Sequence, residues 1–266
     1  MITSSKNLRI KQIHKLKKPR ERKRSRRFLI EGYREILRAK QGGIFIEELY
    51  ISEELFIQKK NEYSLIDSLV EKGALLFSLD APLFSTLSFR DRPDGLLAIA
   101  KQKQDQLEEI MWEEDPFLVV AETIEKPGNL GTILRSADAA GVDGVIVADP
   151  CTDIHNPNVI RSSVGSIFTQ KVVEVDREAA FEFLDKKKIR KVAATPHASQ
   201  TFTDADLTGP IAILVGSEQY GLSDESLHAA DLSVRIPMLG CADSLNVAQA
   251  TTLLLYEVLR QRHTTS

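Results

Sequence analysis

The second half of the chain alternates short apolar runs with segments of helical periodicity, and this alternation restricts the fold more than any other feature of the sequence. The β-like runs lie at residues 117–121, 145–147, 172–175, 192–194, 211–215 and 232–236. Runs that are apolar throughout are typical of strands buried on both faces. The pattern therefore predicts a parallel sheet that is covered by helices on both sides.

A shorter mixture of the same patterns precedes it. Strands are predicted at 27–30, 44–51, 74–78 and 96–100, and helices at 33–40 and 63–72. Residues 101–115 are polar, contain neither Gly nor Pro and predict a short helical linker that Pro116 ends. We therefore expect a small α/β domain at 28–100 and a larger α/β domain at 116–266.

Positive charge is concentrated at the N-terminus. Residues 1–27 contain 12 Lys and Arg and a single acidic residue, Glu21, so this segment carries +11 while the other 239 residues carry −14. A basic segment on an acidic body predicts a polyanionic partner, with nucleic acid as the first candidate and an anionic membrane surface as the second. The alternative is a solvated, disordered cationic tail.

Several classes of protein are disfavoured by what the sequence lacks. Aliphatic runs such as 211–215 fall far short of the roughly 20 apolar residues that cross a bilayer, so we expect no membrane span. With nucleic acid preferred as the polyanion, we also expect no membrane partner. Cys151 and Cys241 are too few and too far apart for a disulfide framework, which favours a reducing, cytoplasmic location. Cys151, Asp153 and His155 alternate, but the following Asn-Pro pair favours a polar loop over a metal site, so we expect no metal.

The usual phosphate-binding loops are also absent. No two of the 14 glycines are separated by a single residue, so there is no GxGxxG, and GxxxxGK[ST] and GxSxG are missing too. A nicotinamide-dependent oxidoreductase is therefore disfavoured.

The first of three informative segments is ETIEKPGNLGTILRSAD, residues 122–138. Asn129 is expected to cap a helix that Gly141 ends, and helical periodicity places Arg135 outside the apolar stripe. Arg135 is then either an exposed arginine paired with Asp138 or a guanidinium that binds a phosphate at the carboxyl edge of the sheet.

The second segment is ILVGSEQYGLS, residues 213–223. A buried strand leads into Gly216, which we expect to let a ligand approach the backbone. Glu218 projects from the end of this strand, either as a ligand anchor or as an acid paired with a neighbouring base. Ser223 is expected to cap the next helix.

The third segment is IPMLGCADSLNVAQA, residues 236–250, which leads into a helix that is apolar on nearly all sides. This helix should be buried within the domain or against a partner chain. Ser244 and Asn246 occupy positions suited to helix caps, and beside Ile236 and Leu245 they also form a plausible pocket for an adenine and its ribose.

In order and spacing, NLGTILRSAD, ILVGSEQYGLS and IPMLGCADSLNVAQA resemble the signature motifs of the SpoU (TrmH-like) RNA ribose 2′-O-methyltransferases of the SPOUT superfamily. The resemblance covers about residues 117–260, including NPNVIRSSVG at 156–165, which is similar to the family's small-residue helix. It implies a parallel-sheet domain with a deep trefoil knot, which forms the S-adenosylmethionine pocket without a glycine-rich loop. It also implies methyl transfer to a ribose 2′-hydroxyl and a homodimer formed through the C-terminal domain.

The resemblance assigns roles residue by residue. The catalytic centre would consist of Asn129, Arg135, Glu218, Ser244 and Asn246. The methyl donor would be bound by Thr195, Gly216, Ile236, Met238 and Leu245.

By the same resemblance, residues 28–100 are similar to the ribosomal-protein-like RNA-binding domain that precedes the catalytic domain in many rRNA-directed members. This favours ribosomal RNA as the substrate, and within it the RNA of the large subunit. The alternatives are a tRNA 2′-O-methyltransferase and a non-catalytic RNA-binding protein of the same fold. We expect RNA contacts from Lys17, Lys18, Arg20, Arg22, Lys23, Arg24, Arg26, Arg27 and Arg161.

Overall fold

The computed structural model describes residues 1–112 and 114–265 of the chain. Unit 1 consists of Met1–Lys103 and Asp153–Thr169, and unit 2 consists of Gln104–Thr152 and Gln170–Ser266. The expected division into residues 28–100 and 116–266 differs from this one, because residues 153–169 belong to unit 1 and not to unit 2. The functional roles assigned to those segments stay predictions.

Unit 1 is built around a four-stranded mixed sheet. Its elements are α1 (Leu8–Leu16), α2 (Pro19–Ser25), β1 (Arg27–Glu31), α3 (Tyr33–Gln41), β2 (Ile46–Ile51), α4 (Lys59–Glu71), β3 (Leu75–Ser78), α5 (Ala81–Leu87) and β4 (Leu96–Lys101). The strand order is β1-β4-β2-β3, with β4 antiparallel to both neighbours and β2 parallel to β3. The predicted strands and helices of this half are confirmed, with shifts of a few residues at their ends.

The basic segment at the N-terminus is folded. Ile10, Ile13 and Leu16 on one face of α1 are completely or almost completely buried in a core that includes Leu29 and Phe84. Helix α2 starts with a proline at its first position, where the missing N–H costs nothing. The alternative of a disordered cationic tail is therefore wrong, because this segment supplies part of the hydrophobic core.

Unit 2 contains the predicted parallel sheet. In chain order the elements are β5 (Phe117–Glu122), α6 (Pro127–Ala139), β6 (Gly144–Ala148), α7 (Pro157–Ser162, in unit 1), β7 (Lys171–Val175), α8 (Arg177–Lys186), β8 (Arg190–Ala194), β9 (Gln200–Thr201), β10 (Ile211–Val215), α9 (Asp224–Ala229), β11 (Leu232–Arg235) and α10 (Val247–Thr265). Its seven strands are all parallel, in the order β7-β6-β5-β10-β8-β11-β9. Because every strand runs the same way, their carboxyl ends share one edge.

The predicted helical linker at 101–115 is wrong. Strand β4 runs to Lys101, and the described part of the segment has only one 3-10 turn, Leu107–Glu109. Leu107 and Ile110 pack into the core of unit 2, where a Cβ on Gly144 would lie only 2.8 Å from Ile110. Leu107 and Ile110, three residues apart, fix a short turn against this core. The polar residues around them form no apolar stripe that a helix could bury.

Within the described residues, no helix is both long and apolar enough to span a membrane. Cys151 and Cys241 are exposed and do not form a disulfide.

Candidate active site

The motifs of unit 2 meet in a hydrogen-bonded group at the carboxyl edge of the sheet. The side-chain nitrogen of Asn246 donates to Oδ1 of Asn129 at 3.1 Å and to a carboxylate oxygen of Glu218. Asn129 lies on α6, Glu218 follows β10, and Asn246 precedes α10. A small cleft at this point is lined by Ile124, Glu125, Lys126, Asn129, Glu218 and Val247.

Asn246 caps α10, as predicted, and this cap determines how its amide is oriented. Its Oδ1 accepts a hydrogen bond of 3.0 Å from the backbone N–H of Ala248. Only the amide oxygen can accept from a backbone N–H, so the amide nitrogen has to face Asn129 and Glu218. Capping and participation in the site are therefore two consequences of one side-chain orientation.

Lys126 belongs to the site, although the sequence reasoning did not identify it. Its ammonium group forms an ion pair with Glu218. Hydrogen bonding from Lys126, together with the amides of Asn129 and Asn246, lowers the pKa of the Glu218 carboxyl below its ordinary value. Glu218 is therefore a carboxylate at neutral pH. The Lys-Pro pair in the sequence could have identified Lys126, because a proline favours the first helical position and so places the preceding residue at the helix start.

Helix α6 starts two residues before the predicted cap. Pro127 occupies its first position, so Asn129 lies within the first turn and the prediction that it caps the helix is wrong. Its side chain is consequently free to contact Asn246. The predicted end of the helix is confirmed, since Gly141 directly follows the C-cap with a left-handed φ of +69°.

Arg135 is exposed on α6, as its periodicity predicted. The opposite side of the helix buries Leu130, Ile133, Leu134 and Ala137. In the described part of the chain, the Arg135 side chain has no hydrogen bond or ion pair, and the alternative pair with Asp138 is not formed. Its guanidinium is therefore available to a ligand.

The residues expected to bind the methyl donor follow three neighbouring strands. Thr195, Gly216 and Ile236 come directly after the last residues of β8, β10 and β11, which are adjacent in the sheet. Met238 lies further along the loop between β11 and α10, half-buried like Ile236, and Leu245 is 36% exposed. Three strand ends and one partly apolar loop therefore supply all the expected donor residues.

Gly216 has a different structural reason from the one expected. A Cβ at this position would lie 2.1 Å from the backbone of Gly221, because the loop folds back on itself. Ser217 and Gly221 exchange two backbone hydrogen bonds of 3.0 Å. The glycine thus permits the tight loop that carries Glu218. The expectation that it also lets a ligand approach the backbone stays a prediction.

Two further predictions concern serines. Ser223 caps α9, accepting a hydrogen bond of 3.2 Å from the N–H of Ser226, as predicted. The buried carboxylate of Glu122 also binds both serines, which fixes the end of the loop that carries Glu218. Ser244 is exposed in the loop before α10, and its expected role in catalysis stays a prediction.

The nine expected RNA-binding residues differ in their surroundings. Exposed positions are occupied by Lys18, Arg20, Lys23, Arg24, Arg26 and Arg161. Lys17 is half-buried, with its ammonium group 4.8 Å from the centre of the Phe89 ring, and Arg27 pairs with Glu47 and Glu48.

Arg22 requires a correction, because it is only 1% exposed. Its guanidinium bonds Asp153 at 2.7 Å and the backbone carbonyls of Leu16 and Lys17 at 2.9 Å each. These contacts leave it unable to reach a phosphate, and its role is to hold α1 and α2 against residues 153–169. The sequence showed a basic run but not the partner, which lies 131 residues away.

The alternating Cys151, Asp153 and His155 are arranged by packing. Asp153 bonds Arg22, and the imidazole of His155 lies 4.6 Å from the ring of Phe28. Burial lowers the pKa of His155 to about 4. The described residues contain no group of three or more His, Cys, Asp or Glu side chains that could hold a metal ion.

Comparison with known proteins gives consistent matches for both units. The family model described as the SpoU rRNA Methylase family matches residues 116–256, and the MRM3-like substrate binding domain matches residues 7–98. The 23S rRNA (uridine(2479)-2′-O)-methyltransferase of Streptomyces viridochromogenes is 34% identical over 97% of this chain and 92% of its own length.

Two further relatives are informative. The crystal structure of an AdoMet-bound rRNA methyltransferase from Sinorhizobium meliloti has a TM-score of 0.88 and 31% identity, covering all of this chain and 98% of its own. The tRNA (guanosine(18)-2′-O)-methyltransferase of Thermus thermophilus is 36% identical, but the match covers only 60% of this chain and 83% of the relative.

Proposed function

The chain belongs to the SpoU rRNA methylase family, and we propose that it transfers a methyl group from S-adenosylmethionine to the 2′-hydroxyl of one ribose in large-subunit ribosomal RNA. The observation that carries this proposal is the group formed by Asn129, Glu218 and Asn246, with the free guanidinium of Arg135 on the same helix as Asn129. Three separate motifs supply these polar groups near the carboxyl edge of the sheet, where open α/β folds bind their ligands.

The residues at the sheet edge fit S-adenosylmethionine. This donor carries no phosphate, so it needs no glycine-rich loop. Its adenosine needs an apolar slot, and Ile236, Met238 and Leu245 offer partly exposed apolar surface beside the ends of β8, β10 and β11. Thr195 and Gly216 would contribute polar backbone groups. When bound, the donor supplies a methyl group on a positively charged sulfur.

Arg135 is proposed to hold the substrate phosphate and to stabilise negative charge that develops on the ribose oxygen. Arginine retains its proton in proteins, so it is a poor general base but a strong partner for a phosphate. The hydroxyl proton would leave through the phosphate or through water. Because no carboxylate neutralises Arg135 in the described part of the chain, its full charge is available in the transition state.

Glu218 is proposed to orient the site. Its lowered pKa makes it a weak base, so proton abstraction by this carboxylate is disfavoured. It instead fixes the Asn246 amide, which also contacts Asn129, and these two residues would lie beside the target ribose. Ser244, two residues before Asn246, would complete the site from the loop.

Unit 1 is proposed to bind the RNA through its exposed cations. The matching substrate-binding family and the rRNA-directed relative support this role, because both extend over the N-terminal part of the chain. The match to the tRNA-directed relative covers a smaller share of the chain. Ribosomal RNA is therefore preferred to tRNA.

We further propose a cytoplasmic homodimer with a trefoil knot in unit 2. The support for the dimer is helix α10. Leu253 and Tyr256 lie three residues apart on one face of this helix and are 44% and 47% exposed, so they offer an apolar surface to a partner chain. The support for the knot is the family membership. The two exposed, unpaired cysteines fit a reducing compartment.

The decisive experiment is mapping of ribose methylation in total RNA from cells with and without the gene. The expected result is the loss of a single 2′-O-methyl group from large-subunit rRNA. A lost tRNA site would contradict the choice of substrate. Calorimetric titration with S-adenosylmethionine tests the alternative of a non-catalytic RNA-binding protein, because such a protein should give no binding heat.

A further inference from the structure

The loop between α5 and β4 in unit 1 brings together two cations and an aromatic ring that methyl transfer does not use. Phe89 is partly exposed at the edge of the core that contains Phe84 and Leu87. The ammonium group of Lys17 lies over its ring, 4.8 Å from the centroid. The guanidinium of Arg161 donates a hydrogen bond of 3.1 Å to the backbone carbonyl of Phe89.

Three buried carboxylates fix this loop from beneath. Glu31 accepts a hydrogen bond of 2.7 Å from the N–H of Phe89, and Glu35 binds Arg90 at 2.6 Å. Asp94 accepts a hydrogen bond of 2.7 Å from the N–H of Tyr33. All three acids are at most 7% exposed. The position of Phe89 is therefore set before any ligand binds.

Gly32 makes room for the arrangement. A Cβ at this position would lie 2.4 Å from a carboxylate oxygen of Glu35 and 2.5 Å from the guanidinium of Arg90, and the backbone φ is +107°. Both constraints exclude a larger residue. The ion pair under the loop thus depends on a glycine at the start of α3.

Lys17 and Arg161 differ from several arginines of unit 1. Arg9, Arg22, Arg27 and Arg90 each pair with a carboxylate, whereas the described residues provide no such partner for Lys17 or Arg161. Partial burial lowers the pKa of Lys17, and the charge of Glu31 offsets only part of this effect. An anion beside Lys17 would therefore stabilise its ammonium charge, because Glu31 offsets only part of the desolvation.

We propose that Phe89, Lys17 and Arg161 form a subsite for one unstacked nucleotide of single-stranded RNA. The base stacks on the Phe89 ring, and the adjoining phosphate lies between Lys17 and Arg161. Lys17 moves from the ring face to the phosphate as the base enters. An aromatic ring accepts any base, so the subsite selects unpaired RNA over a helix without choosing a sequence. The inference rests on the proposed function, which makes RNA the substrate.

The test uses the full chain and a single-stranded RNA 12-mer that contains one 2-aminopurine. Stacking on Phe89 should quench the 2-aminopurine fluorescence of the wild-type complex. Phe89→Leu keeps apolar volume toward the core but removes the ring, so it should abolish the quench and weaken binding about tenfold. Phe89→Tyr should preserve both.

Charge variants test the phosphate position. Lys17→Gln and Arg161→Gln should each weaken binding about fivefold and reduce the slope of log K against log salt by about 1. Lys17→Gln combined with Phe89→Leu should cost less than the product of the two single effects, because both act on one nucleotide. Lys23→Gln, which changes an exposed cation on α2, is the matched control. Combined with Phe89→Leu, it should weaken binding by the full product of the two single effects.

The subsite is overturned if Phe89→Leu retains the quench and the affinity of the wild type, or if Lys17→Gln is as independent of Phe89 as Lys23→Gln. Absence of quenching with the wild type would overturn it equally. Methyl transfer to large-subunit rRNA is measured in parallel. Transfer without a Phe89 effect refutes only the subsite, whereas a Phe89 effect without any transfer refutes only the proposed function.

Discussion

The basic segment of unit 1 and helix α6 of unit 2 use arginine in opposite ways. Arg22 lies in a run of basic residues but is buried and bonded to Asp153 and two backbone carbonyls. Arg135 lies in a segment of ordinary composition but is exposed and has no partner among the described residues. Charge density predicted a region that binds a polyanion, but it did not show which cations are free.

The comparison extends to the carboxylates. In unit 1, Glu31, Glu35 and Asp94 are buried and stabilise a loop. In unit 2, Glu218 is exposed at the cleft and accepts a hydrogen bond from the Asn246 amide. Each buried acid of unit 1 has at least one protein partner and maintains the fold, whereas Glu218 is exposed at the edge where open α/β folds bind their ligands.

The largest expected effect is on catalysis in unit 2. Arg135→Ala should lower kcat for RNA methylation by roughly 10²–10³-fold, because a preorganised charge near the reacting oxygen is lost. Affinity for S-adenosylmethionine, measured by calorimetry, should hardly change. Arg135→Lys should recover part of the rate, since it restores the charge but not the bidentate geometry. Wild-type turnover in Arg135→Ala would remove Arg135 from the active site.

The second effect is on the stability of unit 1. Arg22→Ala should reduce the free energy of unfolding by about 3 kcal/mol, because it leaves Asp153 and two carbonyls without their partner. Lys23→Ala, at the exposed neighbouring position, should stay within about 0.5 kcal/mol of the wild type. Denaturant unfolding followed by circular dichroism measures both. Equal effects of the two substitutions would refute the structural role of Arg22 and return it to the RNA-binding surface.

Deletion of residues 1–27 would therefore not isolate RNA binding. It removes Ile10, Ile13 and Leu16 from the core together with the exposed cations. Substitution of single exposed residues is the informative alternative.

The third effect is a pH dependence that distinguishes the two units. The pKa of His155 is lowered to about 4 in the folded protein, while in the unfolded chain it returns to its ordinary value of 6.5. Between these values the unfolded state binds more protons, so stability falls as pH decreases from about 6.5 toward 4. The expected loss is on the order of 2 kcal/mol.

Unfolding measured across this pH range tests the assignment. His155→Gln, which cannot titrate, should show a flatter pH profile, whereas His263→Gln, at an exposed position on α10, should follow the wild type. Glu218 should not contribute to the profile in this window, because its lowered pKa keeps it ionised down to more acidic values. A profile of His155→Gln that matches the wild type would show that another group causes the acid sensitivity.

The smallest effect concerns single exposed cations of α2. Arg20→Gln should weaken binding of large-subunit rRNA about threefold and lower the salt slope by about 1, since one phosphate contact is lost. Unfolding should be unchanged, in contrast to Arg22→Ala two positions away. Filter binding at several salt concentrations measures the slope. An unchanged slope would place Arg20 outside the RNA-binding surface.

The sequence by itself determined the class of fold and most of the site. Alternating periodicities specified the parallel sheet, because a strand that is buried on both faces is apolar at every position, and this is visible in the local sequence. The resemblance of three contiguous motifs to those of the SpoU family also predicted Asn129, Arg135, Glu218 and Asn246 as site residues, because each motif can be read from one local segment. Helix α6 starts three residues earlier than a cap at Asn129 predicted, because the preference of Pro127 for the first helical turn outweighs that of Asn129 for the cap.

Only the tertiary structure decided which polar groups meet. Lys126 pairs with Glu218 across 92 positions and Arg22 with Asp153 across 131, and neither residue type nor periodicity specifies such a partner. The sequence also did not predict that the chain folds back at Gly221 against position 216, which requires a glycine there. Local sequence sets the conformational preference and burial pattern of an element, but the environment of a charge depends on chain segments that only folding brings beside it.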